Sequence, residues 1–302
     1  MVDIIIVGAG TAGMTAALYA LRAGKSVMLL EAESFGGQIA SSPRVENFPG
    51  TKQISGLELA DKLFEQISDL GAEFDIDRVV SIEKIAEKHF VVTTEYSSHE
   101  CKSVILACGV KHRTLNVERE EDFIGKGVYY CAVCDGAFFT GKDVALVGDA
   151  NSALQYALLL SNYCSKVTMV TMFDKFFGDM ALQNAVRARD NIEIIPNYIT
   201  CGLLGDDKFE GVKFKETNGE NTFELKTNAL FVAIGQVPDN KAFENVVELD
   251  RAGFIVADEA CTTKTEGVFV AGDCRTKKIR QLTTASADGA IAALAASSYI
   301  DK

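Results

Sequence analysis

The chain has 302 residues, enough for two hydrophobic cores, and its 48% hydrophobic and 24% charged content is that of an ordinary globular protein. A net charge of -12 argues against general nucleic-acid binding, because a phosphate backbone would be repelled. Eight cysteines without a signal-peptide pattern point to a reducing, cytoplasmic compartment in which thiols stay free unless catalytic. The uncharged run Ile4 to Leu21 is broken by Gly8, Gly10 and Gly13 and preceded by Asp3, so neither export nor a membrane span is expected.

Val2 to Val7 is a short apolar run of the kind a buried parallel strand shows. Gly8-Ala9-Gly10-Thr11-Ala12-Gly13 follows, then a helical run from Met14 to Arg22 closed by Gly24, then a strand from Ser26 to Leu30 ending in Glu31. This order is a dinucleotide-binding pattern with a physical reason at each position. Gly8 allows the tight turn, Gly10 lets a pyrophosphate approach the N–H groups at the helix start, Gly13 lets helix and strand pack closely, and Glu31 accepts from a ribose hydroxyl.

Phe35 to Ile39 and Glu46 to Gly50 are loops marked by glycine and proline. Leu57 to Leu70 has amphipathic helical spacing, and Arg78 to Leu106 alternates like a small antiparallel β excursion. Ala107-Cys108-Gly109 ends it, and Ala233-Ile234-Gly235 ends a similar strand in the second half, which suggests two crossings between domains.

Cys131-Ala132-Val133-Cys134-Asp135-Gly136 carries the chemistry. Two thiols three positions apart can close and reopen a small-ring disulfide, and Asp135 can move the proton that thiolate chemistry requires. A zinc half-site and a coincidental pair are the plainer readings. Zinc needs four ligands and no second pair exists, so no metal is expected. The other six cysteines lie in apolar or strand-like surroundings and read as structural.

The first unit recurs at an offset of 140. Asp3 to Gly8 aligns with Asp143 to Gly148 and Val27 with Val167, without a gap from Asp3 to Glu31. The copy departs where ligand would touch it: Ala9 becomes Asp149, Gly10 becomes Ala150 and Glu31 becomes Thr171. Gly267 to Asp273 is a further strand, and Thr283 to Tyr299 an alanine-rich helix. The fold class expected is α/β, with two Rossmann-like domains of FAD/NAD(P)-binding type, the second inserted in the first, each with a small antiparallel β element. The first is set at residues 1–112 and 241–302, the second at 113–240.

Taken together, these residues resemble the low-molecular-weight thioredoxin reductase family over almost the whole chain. The carriers are Gly8 to Gly13 with Glu31, Gly36-Gly37-Gln38, Glu46 to Gly50, Cys131 to Gly136, Gly272-Asp273, and Arg280-Gln281 leading into Thr284-Ala285. The resemblance implies FAD held by Gly8, Gly10, Thr11, Ala12, Gly13 and Glu31. Gly37, Gln38, Asn47, Gly109, Gly272, Asp273, Arg280, Gln281 and Leu282 would complete its site. It also implies a homodimer, thioredoxin as substrate, Cys134 receiving electrons from the flavin, Cys131 attacking the substrate disulfide, and Asp135 as general acid and base.

Members that use NADPH carry a Gly-Gly-Gly-x-Ser-Ala turn and a His-Arg-Arg-x-x-x-Arg run. Here those read Gly148-Asp149-Ala150-Asn151-Ser152-Ala153 and Thr171 to Phe177, without any arginine for a 2′-phosphate. Losing charge-assisted contacts of roughly 1.5–3 kcal/mol each should cost several decades of affinity. The pattern is similar to the ferredoxin-dependent flavin thioredoxin reductases. Arg275, Lys277, Lys278 and Arg280, with Lys111 and Arg113 near the same loop, read either as a solvated charged loop or as the basic face an acidic ferredoxin would need. Two other readings stay open: a nicotinamide donor bound through Asn151 and Ser152, and a flavin redox sensor. Phe173, Phe176 and Phe177 either belong to a core or fill the vacated nucleotide site.

Overall fold

The structure, a computed structural model, describes residues 1–42 and 45–302. In chain order the main elements begin with β1 (Val2–Val7), α1 (Thr11–Arg22), β2 (Val27–Glu31), α2 (Gly56–Ser68), β3 (Glu73–Ile76), β4 (Val79–Ala86), β5 (His89–Thr94), β6 (Ser98–Leu106) and β7 (Lys111–His112). They continue with α3 (Glu120–Phe123), β8 (Val128–Tyr129), α4 (Ala132–Asp135), β9 (Asp143–Val147), α5 (Asn151–Ser161), β10 (Lys166–Thr171), α6 (Met180–Arg187) and β11 (Ile192–Pro196). The last are β12 (Tyr198–Leu204), β13 (Gly211–Glu216), β14 (Thr222–Lys226), β15 (Ala229–Val232), β16 (Gln236–Val237), β17 (Val268–Val270) and α7 (Leu282–Asp301).

The chain divides into two compact units, Met1–Lys111 with Val237–Lys302, and His112–Gln236. The two crossings, β7 and β16, pair as a two-stranded ribbon. Among the described residues no helix is long and apolar enough to cross a membrane.

In the first unit the sheet runs β3-β2-β1-β6-β5-β4, with β17 also on β6. Strands β3, β2, β1, β6 and β17 are parallel, while β5 and β4 add antiparallel. Because side chains alternate along a strand, β1 serves two cores. Ile4 and Ile6 join the core under α1 and α7, and Ile5 and Val7 join the core on the other face. Burial on both faces is why the run is continuously apolar, each isoleucine contributing roughly 1.5–3 kcal/mol.

In the second unit five parallel strands run β11-β10-β9-β15-β8, beside the antiparallel meander β12-β13-β14. The alternation repeats, with Val144 and Leu146 in one core and Ala145 and Val147 in the other. The registers also repeat at the offset of the sequences: Ile4 pairs with Val27 and Val144 with Val167. Helix α1 begins at Thr11, earlier than the expected Met14, because Thr11, Ala12 and Gly13 are already its first buried turn.

Candidate active site

The glycine turn of the first unit is shaped by packing on one side and open on the other. Gly8 has φ +104, and a Cβ there would lie 2.4 Å from the Ala107 carbonyl oxygen. A Cβ at Gly13 would lie 1.9 Å from the Gly8 oxygen, so helix and strand approach as closely as backbones allow. Gly10 is different. Its φ of -77 suits any residue, and nothing lies within 4 Å of a Cβ built on it. The space in front of the α1 N-terminus is therefore open, as a pyrophosphate requires. Glu31 closes the turn, accepting from the Ala9 N–H at 2.8 Å through Oε2 and from the Glu33 N–H at 3.0 Å through Oε1.

The other residues expected around the cofactor belong to the same unit. Gly37 lies against Gly10, Gln38 donates through Nε2 to the Val110 carbonyl, and Gly109 takes φ +64 with open space beside it. Asn47 donates to Gln281 Oε1 at 3.2 Å, and Gln281 caps α7 in a capping box with Thr284, directly before Leu282. Arg280 donates to the Asp273 carbonyl at 3.2 Å and stacks on Phe254 at 4.2 Å. Asp273, on the turn with Gly272, has a buried Oδ1 with no hydrogen-bond partner among the described residues. Burial pushes its carboxyl up to about 6, with Lys277 and Arg280 opposing. An open cradle at Gly10 and an orphaned buried carboxyl oxygen at Asp273 fit a dinucleotide that accepts N–H bonds at its phosphates and donates hydroxyls to acids.

The segment carrying Asp273 is fixed by a residue that sequence reasoning missed. Asp288 on α7 accepts from the Gly272 N–H at 3.0 Å, from Arg275 Nε and Nη2 at 2.8 Å each, and from Lys277 Nζ at 2.8 Å. Burial alone would raise its carboxyl, but the bonds from Arg275 and Lys277 hold it below the usual range. This corrects the expected basic docking face. Arg275 and Lys277 point inward with side chains 10% and 7% exposed, because a buried carboxylate needs charged partners. Lys111 is engaged with Glu33 at 2.9 Å, which leaves Lys278 as the exposed cation of the 275–280 segment. The signal was available: Asp288 is the only charged residue of α7 before Asp301.

In the second unit Cys131 and Cys134 are joined in a disulfide on α4, and the Cys134 N–H points at Cys131 Sγ at 3.2 Å. That N–H stabilises negative charge on Cys131 when the bridge opens. Both sulfurs are half-buried, and Asp135 is buried with Oδ1 unpartnered among the described residues. Burial raises the Asp135 carboxyl to about 7, so it holds a proton near neutrality. Of the six free cysteines, Cys101, Cys164, Cys261 and Cys274 are buried and Cys108 half-buried, whereas Cys201 is exposed on β12. No metal cluster exists among the described residues.

The second glycine turn keeps its backbone. Gly148 has φ +139 with the Ala233 carbonyl 2.4 Å from its built Cβ, as at Gly8. The turn's side chains differ from those of the first. Asn151, first residue of α5, is bonded twice to Asp179, accepting from its N–H at 2.7 Å and donating to its carboxylate at 3.3 Å. Phe177 N–H donates to the Asp149 carbonyl at 2.8 Å. Thr171, where Glu31 stands in the first copy, turns away and donates to the Phe173 carbonyl at 2.7 Å. Phe173 and Phe177 pair edge to face at 5.3 Å and stay partly exposed, whereas Phe176 packs against the core.

A two-unit α/β chain with one open dinucleotide cradle and a redox disulfide defines a flavoprotein disulfide oxidoreductase. The sequence pattern of the family described as pyridine nucleotide-disulphide oxidoreductase matches residues 2–289. The thioredoxin reductase of Bacillus subtilis is 37% identical over 99% of this chain and 95% of its own. The structure of thioredoxin reductase from Streptococcus pyogenes superposes with a TM-score of 0.94 at 37% identity, covering 100% and 98%. A ferredoxin-flavin thioredoxin reductase from Clostridium acetobutylicum gives 0.54 at 30% identity, covering 99% and 97%. The chain belongs to the low-molecular-weight thioredoxin reductases within that family, and its cofactor is FAD.

Proposed function

We propose that this chain reduces the disulfide of thioredoxin with electrons taken from reduced ferredoxin and without NADPH. When bound, FAD supplies a carrier that takes electrons singly and gives them in pairs. Gly8 to Gly13, Glu31, Asp273 and the start of α7 would hold it. The opened Cys131 thiolate attacks one sulfur of the substrate disulfide, forming a mixed disulfide and releasing a thiolate, which takes the proton of Asp135. Cys134 then gives its proton to the Asp135 carboxylate and attacks Cys131 Sγ, which releases the second substrate sulfur as a thiolate and closes the bridge. The substrate gains two electrons and one proton from the pair, the proton passing through Asp135, and its second sulfur takes a proton from water.

The observation that supports the donor assignment is the altered second turn. Asp149 and Ala150 stand where Ala9 and Gly10 stand in the first copy, Asn151 is bonded to Asp179, and no arginine lies among residues 172–177. A nicotinamide donor is the second reading, favoured by the match to a family named for pyridine nucleotides. Anaerobic titration of the oxidised holoenzyme with NADPH, NADH and reduced ferredoxin separates the two. Reduced ferredoxin is expected to bleach the flavin absorbance while both nucleotides leave it unchanged. Rapid bleaching by either nucleotide would overturn the assignment.

A further inference from the structure

The strand that leads into the nucleophile is short. β8 pairs with β15 only at Val128 and Tyr129, so the ladder ends two residues before Cys131, and the single turn α4 begins directly after that cysteine. Tyr130 bridges the gap, and its side chain is engaged at both ends. The hydroxyl donates to Glu120 Oε1, and the ring stacks on His112 with centroids 5.0 Å apart and an interplanar angle of 28°. None of these three residues takes part in the thiol–disulfide exchange itself.

Glu120 is a buried carboxylate, 5% exposed. Its Oε1 also accepts from the Leu115 N–H at 2.9 Å, and its Oε2 accepts from the Asn116 N–H at 3.0 Å. Donors on both oxygens offset the cost of burying the charge and fix where the carboxylate points. Asn116 and Arg119 stand at φ +55 and +63, so the loop that supplies these donors is held in a left-handed conformation that few side chains adopt. Burial lowers the His112 imidazole to about 4 and, with the Glu120 bond, raises the Tyr130 phenol. At neutral pH the stack therefore joins uncharged rings, and the phenol keeps the proton it donates.

Holding Tyr130 matters for Cys131 because the surroundings of the sulfur depend on one backbone conformation. Cys131 caps α4 at φ -132 and ψ 98, and its carbonyl accepts from the Cys134 and Asp135 N–H groups at 3.2 and 3.0 Å. The Cys134 N–H also points at Cys131 Sγ at 3.2 Å. A turn of four residues has little cooperativity of its own, so the residue before it sets how well that geometry persists once the bridge opens.

We propose that Tyr130 is a positioning residue for the Cys131 nucleophile: bonded to Glu120 and stacked on His112, it holds the Cys131 backbone so that the Cys134 N–H stays aimed at Cys131 Sγ in the reduced protein. This rests on the reading of Cys131 as the sulfur that attacks substrate. An N–H directed at the sulfur favours thiolate over thiol, and the thiolate is the form that attacks.

The test is the pH profile of iodoacetamide alkylation at Cys131, measured by mass spectrometry on full-length holoenzyme carrying Cys134→Ser, which keeps the backbone N–H. Tyr130→Phe in that background retains the stack and loses the bond to Glu120. Alkylation should be about fivefold slower at about pH 7 and converge on the parent rate above about pH 10, because thiolate is scarcer at neutral pH while access is unchanged. A tyrosine that only stabilises the fold would leave the profile unmoved or scale it equally at every pH, and either result overturns the proposal. His112→Leu, which removes the stack and leaves the hydroxyl bond, carries the test should Tyr130→Phe not fold. It should slow alkylation at neutral pH alone, and a profile identical to the parent rejects the proposal. Trapping of thioredoxin as a mixed disulfide tests the underlying reading separately: the Cys134→Ser protein should form it, and trapping by Cys131→Ser instead would reject Cys131 as the attacking sulfur whatever the alkylation profile.

Discussion

Gly10 and Ala150 hold the same place in two copies of one βαβ unit, and each caps its helix with extended backbone, at φ -77 and ψ -175 in the first and φ -108 and ψ -175 in the second. The loop after the second strand crosses both turns in the same way, through Gly36 N–H to the Ala9 carbonyl at 2.9 Å and Phe177 N–H to the Asp149 carbonyl at 2.8 Å. Backbone architecture therefore does not separate the two turns. Side chains do. The first loop brings Gly36 and Gly37 to the crossing and leaves the space before Gly10 open, whereas the second brings Phe176, Phe177 and an Asn151–Asp179 clasp. The glycines forced by packing, Gly8 and Gly148, are present in both copies, and the glycine needed only for a ligand is present in one.

In the first unit Asp288 fixes the segment that carries Gly272 and Asp273, and removing that support has the largest expected effect. Asp288→Ala strands Arg275 and Lys277 as buried cations and frees the Gly272 N–H, at a cost of about 3–5 kcal/mol. Urea unfolding of the purified protein should show that loss together with release of flavin. Stability within about 1 kcal/mol of wild type would mean the cluster is not what fixes the turn.

Exchanging the third turn residue between copies probes the packing side of the comparison. Gly13→Ala drives a methyl into the Gly8 carbonyl and should cost about 3 kcal/mol, with loss of flavin. The mirror change Ala153→Gly only deletes a methyl from a helix and should cost about 1 kcal/mol. Equal costs, read from paired thermal melts, would show that the two helices stand equally far from their turns.

Much of this was legible in the sequence because periodicity and glycine spacing act locally. The β1–α1–β2 unit, its repeat at 140 and the α/β class follow from apolar runs and turn chemistry that need no distant partner. What was not legible depended on contacts across long separations. Arg275 and Lys277 read as surface charges because their partner Asp288 lies more than ten residues further on, inside an alanine-rich helix. The clasp between Asn151 and Asp179 spans 28 residues, and neither residue type announces it. Phe173, Phe176 and Phe177 could not be sorted by type, and the structure divides them: Phe176 joins the core while the other two stay at the surface.

The smallest expected effect concerns the acid that waits for a ligand. Asp273 is pushed up to about 6 by burial, and Lys277 and Arg280 offset this only in part, so the folded protein without cofactor holds this proton more tightly than the unfolded chain does. The sign follows from that. The contribution to stability is fully present below about pH 4 and is lost as pH rises to about 6, after which it stays lost. Asp273→Asn cannot ionise and escapes the loss. In flavin-free protein it should match the wild type near pH 4 and exceed it by on the order of 2 kcal/mol at neutral pH. In the holoprotein the order should reverse, because the buried oxygen that costs stability when alone is the one positioned to accept from the cofactor. Urea unfolding of both forms across that pH range measures the crossing. A pH-independent difference between the variant and the wild type would show that Asp273 is already satisfied without a ligand, and would remove one of the two features that set the first turn apart from the second.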